Sequence, residues 1–355
     1  MRAKVNGYEF TRLLPPAKAS GFPPTTTERI LFMKKISITE IEEFKIGQVE
    51  NRENATGCTL VMCEEGMKAG SDVRGGGPAS RDSELLNPLM AANCIHGVLL
   101  AGGSAFGLST ATGVMNYLEE KDIGFDVSVT KVPLVVQADL FDLTVGECKV
   151  RPGEKMGYEV AKQTFNNPNY KDGNYGAGCG ATVGKILGMD YCMKSGIGSY
   201  AVQIGEVKIG AIVAVNALGD IYDYKTGKQI AGLLTEDKKS LRSTVDYMIN
   251  QNEIRENKFV SNTSLGVIMT NADFSKSELC KIAGMAHDGY ARSINPVHSS
   301  ADGDTIFALS KGKVKADMDL IGTVASMVMS EAIIKAVESA EDAYGFKAMK
   351  SIDKL

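Results

Sequence analysis

The chain has 355 residues, a formal net charge of -4 and a pI near 5.6, so it has no basic field that would attract nucleic acid or an anionic membrane surface. Its hydrophobic share of 44% and charged share of 23% are typical of a globular protein with a sizeable core. Seven cysteines without a CxxC pair favour reduced thiols in the cytoplasm over a disulfide framework or a zinc site.

The first 32 residues are predicted to be a flexible N-terminal extension. They are rich in proline and threonine around residues 23–27 and contain no apolar segment of signal-peptide length. Folded sequence is expected to begin near Met33. No uninterrupted apolar run approaches the roughly 18 residues that a membrane-spanning helix needs, so no membrane partner is expected.

The first half of the folded region alternates predicted strands with glycine-rich turns. Residues 58–63 and 98–101 form short apolar runs typical of buried strands. The second run leads through Gly102 and Gly103 into a predicted helix that ends near Tyr117. Residues 80–84 resemble the start of a helix with an acidic first turn, and residues 211–216 form another apolar strand.

Residues 235–262 are predominantly polar and are predicted to be an exposed linker, the kind of segment in which backbone cleavage is tolerated. A core strand is predicted at 265–270. Ser275 and Glu278 then have the spacing of a capping box at the start of a helix. A further strand at 305–309 and a long apolar-faced helix from 318 to about 340 complete a layered α/β body.

The junction between the polar segment and the core strand holds Asn262, Thr263 and Ser264. If the peptide bond before Thr263 is held strained, the threonine hydroxyl can attack the Asn262 carbonyl and shift the chain to an ester, which water then opens. The product is a threonine with a free α-amine, whose reference pKa of about 7.7–8.0 leaves a neutral fraction at physiological pH. Threonine paired with its own amine is a known nucleophile and base. By pattern alone, the same three residues could equally form an ordinary turn or the start of a strand.

Two further positions place polar groups beside predicted strands. The amide of Asn216 could donate to the oxyanion of a tetrahedral intermediate, or the residue could simply begin a turn. Asp302 and Asp304 are two residues apart, so both carboxylates share one face if the segment is extended. They could hold the Thr263 amine or a substrate amine, or form a solvated turn. No third acidic ligand lies nearby in sequence, so no metal is expected.

Two other enzyme classes must be weighed. Residues 176–181 superficially resemble a dinucleotide-binding loop, but no strand precedes them as that motif requires, so no cofactor is expected. Gly103 to Gly107 is one residue longer than a G-x-S-x-G elbow. A serine hydrolase with a triad of Ser104, His298 and Asp302, which would stay uncut, is therefore the main alternative. A catalytically inactive binding protein is the second alternative.

Six blocks in the chain resemble those of one enzyme family, in the family's order. The chain is similar to the self-processing N-terminal-nucleophile aminopeptidases, the peptidase P1-like group that includes L-aminopeptidase/D-esterases, β-aminopeptidases and nylon-oligomer hydrolases. An Asn-Thr junction combined with Asp-Gly-Asp resembles the nylon-oligomer hydrolases most, since the β-aminopeptidase branch has a serine nucleophile and a Ser-x-Glu pair. The blocks are residues 74–78, 96–108, 176–185, 214–216, 262–263 and 296–305.

The resemblance implies a four-layer αββα sandwich over residues 33–355, cut into segments 1–262 and 263–355 that stay together, with a homotetramer as the assembly. It implies hydrolysis of amide bonds in short peptides or peptide-like oligomers through an acyl ester on Thr263. Lys185 falls where the nylon-hydrolase branch keeps a lysine near the nucleophile. Phe141 falls where several relatives have a tyrosine. Because phenylalanine has no hydroxyl, Asn216 and backbone amides would have to stabilise the oxyanion alone.

Overall fold

The structure is a computed structural model that describes residues 33–251 and 262–352, together with the backbone of residues 2–5 and 8–11. The chain divides into an N-terminal unit, residues 1–32, and a main unit that begins at Met33. Within the first unit, strands β1 (Arg2–Val5) and β2 (Tyr8–Thr11) pair antiparallel. The rest of the predicted flexible extension lies outside the described residues.

The main unit mixes strands and helices throughout its described length. Its strands are β3 (Met33–Ile36), β4 (Lys45–Asn51), β5 (Thr56–Val73), β6 (Ala79–Arg81), β7 (Ile95–Ala101), β8 (Phe125–Asp126), β9 (Lys131–Val132), β10 (Val135–Asp139), β11 (Thr182–Val183), β12 (Met193–Lys194), β13 (Ile197–Ile204), β14 (Val207–Ala214), β15 (Asp220–Asp223), β16 (Lys228–Ala231), β17 (Leu265–Ala272), β18 (Ile294–Asn295) and β19 (Thr305–Val314). Its α-helices are α1 (Thr110–Glu120), α2 (Glu154–Asn166), α3 (Thr244–Gln251), α4 (Lys276–Ser293) and α5 (Met318–Ser339).

The long strand β5 joins two halves of the principal sheet. Its first part pairs with β4 and β7, and its second part pairs with β19. The register between β5 and β7 shifts between Met62 and Met67, and Gly66 there has a φ of 81°, a conformation that glycine adopts without steric cost and that bends a strand. The strand order on one side is β3-β13-β14-β17-β19-β5, and on the other it is β5-β7-β10-β6.

Adjacent residues along the central strands face opposite sides, and both sides are buried. On β5, Leu60 packs with α1 and α2, whereas Val61 packs into a core shared by the two halves of the sheet. On β19, Ile306 packs with α4 and α5, whereas Phe307 enters the shared core. Because side chains alternate along a strand, three separate hydrophobic cores result. This is the predicted αββα sandwich, and it explains why the strands read as continuous apolar runs.

Helix α5 is long and apolar enough to cross a membrane by length and composition alone, with a mean hydropathy of 1.6 in its most apolar window. About 67% of that window is buried inside the protein, where Ile321, Val328 and Ile333 pack in the core with α4 and the sheet. It is therefore a core helix of the outer layer. It matches the helix predicted from 318 to about 340.

Predictions from local signals were mostly confirmed. Strand β17 covers the predicted core strand, and Ser275 and Glu278 form the predicted capping box at the start of α4. The predicted helix start at residues 80–84 is wrong, because β6 pairs with β10 there and only a 3₁₀ turn, Ser83–Leu86, follows. Long-range strand pairing has overridden the local signal.

The predicted processing linker, residues 235–262, is not irregular throughout. Helix α3 lies inside it, and residues 252–261 lie outside the described residues. Asn262, at the end of this segment, forms an isolated parallel β-bridge with Asp302.

Candidate active site

Thr263 lies immediately before β17 and is 4% exposed. Its main-chain nitrogen donates a hydrogen bond to the carbonyl oxygen of Asn216 at 2.9 Å. Its side-chain hydroxyl donates to the carbonyl oxygen of Asn262, the residue before it. The hydroxyl therefore lies against the carbonyl group that it must attack for the predicted rearrangement.

That same carbonyl oxygen of Asn262 accepts a second hydrogen bond from the main-chain nitrogen of Gly303 at 3.2 Å. A Cβ atom at position 303 would lie 2.6 Å from the Thr263 hydroxyl oxygen, closer than real Cβ contacts come. Glycine at this position therefore leaves room for the hydroxyl, and its main-chain N–H is directed at the Asn262 carbonyl. The sequence identified the aspartates on either side but assigned no role to Gly303.

Asn216 follows β14, is fully buried, and connects the site to two loops. Its side-chain oxygen accepts hydrogen bonds from Thr182 N at 3.1 Å and from Lys185 Nζ at 2.7 Å. Its side-chain nitrogen donates to the main-chain oxygen of Phe141 at 3.0 Å. Phe141 thus lies beside the site, as its alignment implied, and contacts Asn216 through its backbone.

Lys185 is buried beside Asn216 and Thr263. Besides the side chain of Asn216, its Nζ contacts the Asn216 carbonyl oxygen at 3.2 Å, the acceptor that Thr263 N also uses. Burial lowers the pKa of Lys185 to about 7, and the negative charge of Asp302 opposes part of this shift. A neutral amine, able to accept a proton, is therefore accessible near neutral pH.

The two aspartates lie beside Thr263 but bind different backbone groups. Oδ2 of Asp302 accepts a hydrogen bond from Ser299 N at 2.7 Å. Burial, together with the charge of Asp304, raises the pKa of Asp302 to about 6. Oδ1 of Asp304 accepts from Ser264 N at 2.8 Å, and Oδ2 accepts from the main chain and ring of His298. Within residues 33–251 and 262–352, neither carboxylate has a hydrogen bond to Thr263 itself.

The glycine-rich segment after β5 binds the main chain of both aspartates. Gly77 N donates to the main-chain oxygen of Asp302 at 2.8 Å, and Gly75 N donates to that of Asp304 at 3.3 Å. A Cβ at Gly75 would lie 2.3 Å from Asp304 N, so the two backbones can approach this closely only with glycine. The sequence analysis identified this block only by its resemblance to the family and gave it no physical role.

The alternative serine triad is not assembled. The His298 ring bonds to Asp304 rather than to Asp302, and among the described contacts none joins Ser104 to His298. Ser104 has a φ of 53° directly after Gly103, and its main-chain nitrogen binds the Leu140 carbonyl. The dinucleotide-binding alternative also fails, because the two-residue strand β11 follows the 3₁₀ turn Gly176–Gly178 where that motif needs a helix.

Comparisons with known proteins identify the family of the chain. The profile of Peptidase family S58 matches residues 37–351. An uncharacterised aminopeptidase of Mycobacterium leprae is 31% identical, over 87% of this chain and 92% of that protein. A 6-aminohexanoate-oligomer endohydrolase of an Agromyces species is 28% identical, over 82% of this chain and 83% of that protein.

Among solved structures, the L-aminopeptidase D-Ala-esterase/amidase of Ochrobactrum anthropi, described as a variant of the Ntn-hydrolase fold, is similar with a TM-score of 0.61. The match covers 86% of each chain at 15% identity. At that identity the likeness shows a shared fold, in agreement with the four layers.

Proposed function

The chain is a hydrolase that belongs to peptidase family S58, and on this basis we propose that it is made as a precursor that cuts its own Asn262–Thr263 bond. The mature enzyme then hydrolyses amide bonds in short peptides or peptide-like oligomers through an acyl ester on Thr263. One observation carries the proposal: the Thr263 hydroxyl is hydrogen-bonded to the carbonyl oxygen of the preceding residue.

In self-cleavage, the Thr263 oxygen attacks the Asn262 carbonyl carbon, and its proton passes to a base. The developing oxyanion lies where Gly303 N already donates at 3.2 Å. The carbon–nitrogen bond then breaks, the Thr263 nitrogen takes up a proton, and water hydrolyses the resulting ester. The Thr263 nitrogen is still an amide at the first step and cannot be the base. Neutral Lys185, which shares the Asn216 carbonyl oxygen with that nitrogen, is our assignment for that role.

In the mature enzyme, the new α-amine takes over as base and acid for the hydroxyl of its own residue. The carbonyl oxygen of Asn216, at 2.9 Å from this nitrogen, orients the amine. Lys185 in its protonated form supplies positive charge and an N–H donor near the oxyanion, and the side-chain oxygen of Asn216 holds this lysine in place. Asp304 holds the adjacent amide of Ser264. A donor to an oxyanion typically contributes about 2.7–4 kcal/mol to catalysis.

For the substrate we propose an acyl group with a free amine, as expected for aminopeptidases and for oligomers of amino acids. Asp302 supports this, because its backbone forms a β-bridge with Asn262, the residue that carries the first acyl group, and its carboxylate is buried and bound by Ser299 N. A buried carboxylate there would attract an ammonium group. No cofactor is required by this chemistry.

The two products of cleavage, residues 1–262 and 263–355, are expected to stay together. Strands β17 and β19 come from the second segment, yet they lie between β14 and β5 of the first. Separation would break both ladders and open the buried cores. We further propose a cytoplasmic homotetramer of cut pairs with no nucleic-acid or membrane partner, on the family resemblance and the seven free cysteines.

A direct assay would incubate the purified protein with 6-aminohexanoate oligomers and with L- and D-aminoacyl amides, and measure the release of primary amine. We expect hydrolysis of at least one class by wild type and none by the Thr263→Ala variant. Hydrolysis by an uncut chain that depends on Ser104 would favour the serine triad. No turnover of any class by a properly cut chain would favour a binding homologue.

A further inference from the structure

His298 lies in the loop between β18 and β19 and makes two hydrogen bonds to a single oxygen. Its main-chain nitrogen lies 3.2 Å, and its ring Nδ1 2.9 Å, from Oδ2 of Asp304. A carboxylate only accepts hydrogen bonds, so Nδ1 must carry the proton of this contact. The residue has a φ of 57°, a left-handed conformation that is uncommon for residues with a side chain. This backbone conformation lets both donors reach the same atom.

The other oxygen of Asp304 binds next to the nucleophile. Oδ1 accepts from Ser264 N at 2.8 Å, and Thr305 N donates to the Ser264 carbonyl at 3.2 Å. Asp304 is 2% exposed, so water does not compete for these contacts. Rotation of the Asp304 carboxylate would therefore release the amide that follows Thr263.

Helix α4 holds the His298 ring in place. The ring centroid lies 4.7 Å from that of His287, at 76°, and 5.9 Å from that of Tyr290, which is stacked on it. His287 is itself anchored through Nε2 to the carbonyl oxygen of Asp72 at 3.0 Å. Nε2 of His298 is buried and has no hydrogen-bond partner within the described residues. Among those residues, the ring therefore makes its hydrogen bond through Nδ1, to Asp304.

We propose that His298 is a positioning residue for the reaction of Thr263: it fixes Asp304, and Asp304 fixes the backbone that aims the hydroxyl. This inference rests on the proposed function, because it concerns the geometry of that nucleophile. The sequence paired His298 with Asp302 as part of a different active site, whereas the structure pairs it with the aspartate two residues further along.

Three substitutions separate the hydrogen bond from the backbone conformation. His298→Asn keeps a side-chain N–H at the position of Nδ1 and tolerates the left-handed conformation. His298→Gly keeps the conformation and removes the side-chain donor. His298→Ala removes the donor and also disfavours the conformation. Each variant is compared with wild type for self-cleavage rate, for kcat and KM of the cut enzyme, and for hydrogen exchange of the amides around Ser264.

We expect His298→Gly to lower self-cleavage and kcat by about 10- to 100-fold, the loss typical of one hydrogen bond to a buried charge, with little change in KM. Exchange at the start of β17 should become faster. His298→Asn should recover most of the rate and most of the protection. A glycine variant that cuts, turns over and exchanges like wild type would overturn the proposal, as would an asparagine variant as impaired as the glycine one.

The measurements distinguish a failure of the proposed function from a failure of the positioning role. If wild type is never cut before Thr263, the proposed function fails, and the exchange measurement still reports whether His298 holds the Ser264 amide. If wild type is cut normally and the glycine variant matches it by all three measurements, only the positioning role fails.

Discussion

The main-chain nitrogen of Thr263 donates a hydrogen bond of 2.9 Å to the carbonyl oxygen of Asn216. In an intact chain this nitrogen is an amide, and after cleavage before Thr263 it would be the α-amine of a new N-terminus. The same contact can serve both states, because an amide and an ammonium group both donate. A chain that rearranges in this way would therefore keep its nucleophile anchored without moving the rest of the site.

The pKa of Lys185 should set the pH dependence of self-cleavage. Its pKa of about 7 means that the neutral, proton-accepting form dominates above pH 7 and is lost as the pH falls. The wild-type cleavage rate should therefore rise about tenfold per pH unit below 7 and level off above it. Lys185→Met should slow cleavage by about 10²- to 10⁴-fold and flatten the profile, measured on purified precursor by denaturing gel.

The exposed lysine Lys313 provides the matched control, since Lys313→Met removes the same charge away from the site. A Lys185→Met precursor that cuts at the wild-type rate, with an unchanged profile, would exclude Lys185 as the base.

Asp302 should set the midpoint of that profile. The charge of Asp302 raises the pKa of Lys185, so Asp302→Asn should lower the pKa of Lys185 and move the midpoint of self-cleavage to lower pH. The asparagine side-chain oxygen can still accept from Ser299 N, which keeps the loop in place. Rates measured from pH 5 to 9 test the direction, and a midpoint that moves to higher pH would be inconsistent with the arrangement described.

Replacing Gly303 with alanine should give a variant that folds normally but cleaves itself much more slowly. The Cβ of Gly303→Ala would lie 2.6 Å from the Thr263 hydroxyl oxygen, so the hydroxyl must rotate away from the Asn262 carbonyl. We expect self-cleavage to slow by about 100-fold or more, as for other small misplacements of reacting groups, while circular dichroism stays native. Gly153→Ala is the control, because its Cβ meets only Ser109 Oγ at 3.6 Å. Normal cleavage of Gly303→Ala would rule out the observed hydroxyl geometry as the reactive one.

The capping box of α4 predicts a stability change. Ser275 accepts from Glu278 N, and Glu278 accepts from Ser275 N at 2.8 Å. Ser275→Ala should reduce the free energy of unfolding by about 1 kcal/mol, measured by urea titration in an uncut Thr263→Ala background. Ser275→Thr keeps a hydroxyl that can both cap the helix and donate to Glu278 as Ser275 does, and should stay within about a few tenths of a kcal/mol of its parent. Equal losses in both variants would mean that the cap does not stabilise α4.

Local signals in the sequence predicted local structure well. The Ser275 capping box needs residues only three apart, and the apolar runs of β14 and β17 need only burial on both faces. The start of β6 was missed because its pairing with β10 joins residues more than 50 positions apart. No local pattern reports which distant strand competes for the same backbone groups.

The sequence predicted which residues form the candidate site, but not the hydrogen bonds between them. Thr263, Asn216, Lys185, Asp302 and Asp304 were named from motif and resemblance, and the structure brings them together. Their hydrogen bonds could not be predicted, because they depend on backbone direction: Asp304 faces Ser264 and His298, and the side chain of Asn216 binds Thr182, Lys185 and Phe141. Gly303 gave no signal of its own, since a backbone N–H is present at nearly every residue.

The most direct test of the central claim is the intact mass of the purified protein under denaturing conditions. Wild type, of 37.9 kDa, should yield two pieces of about 28 and 10 kDa, the smaller beginning at Thr263. Thr263→Ser should also be cut, whereas Thr263→Ala should stay a single inactive chain. A wild-type enzyme that is fully active while the Asn262–Thr263 bond is whole would contradict the account.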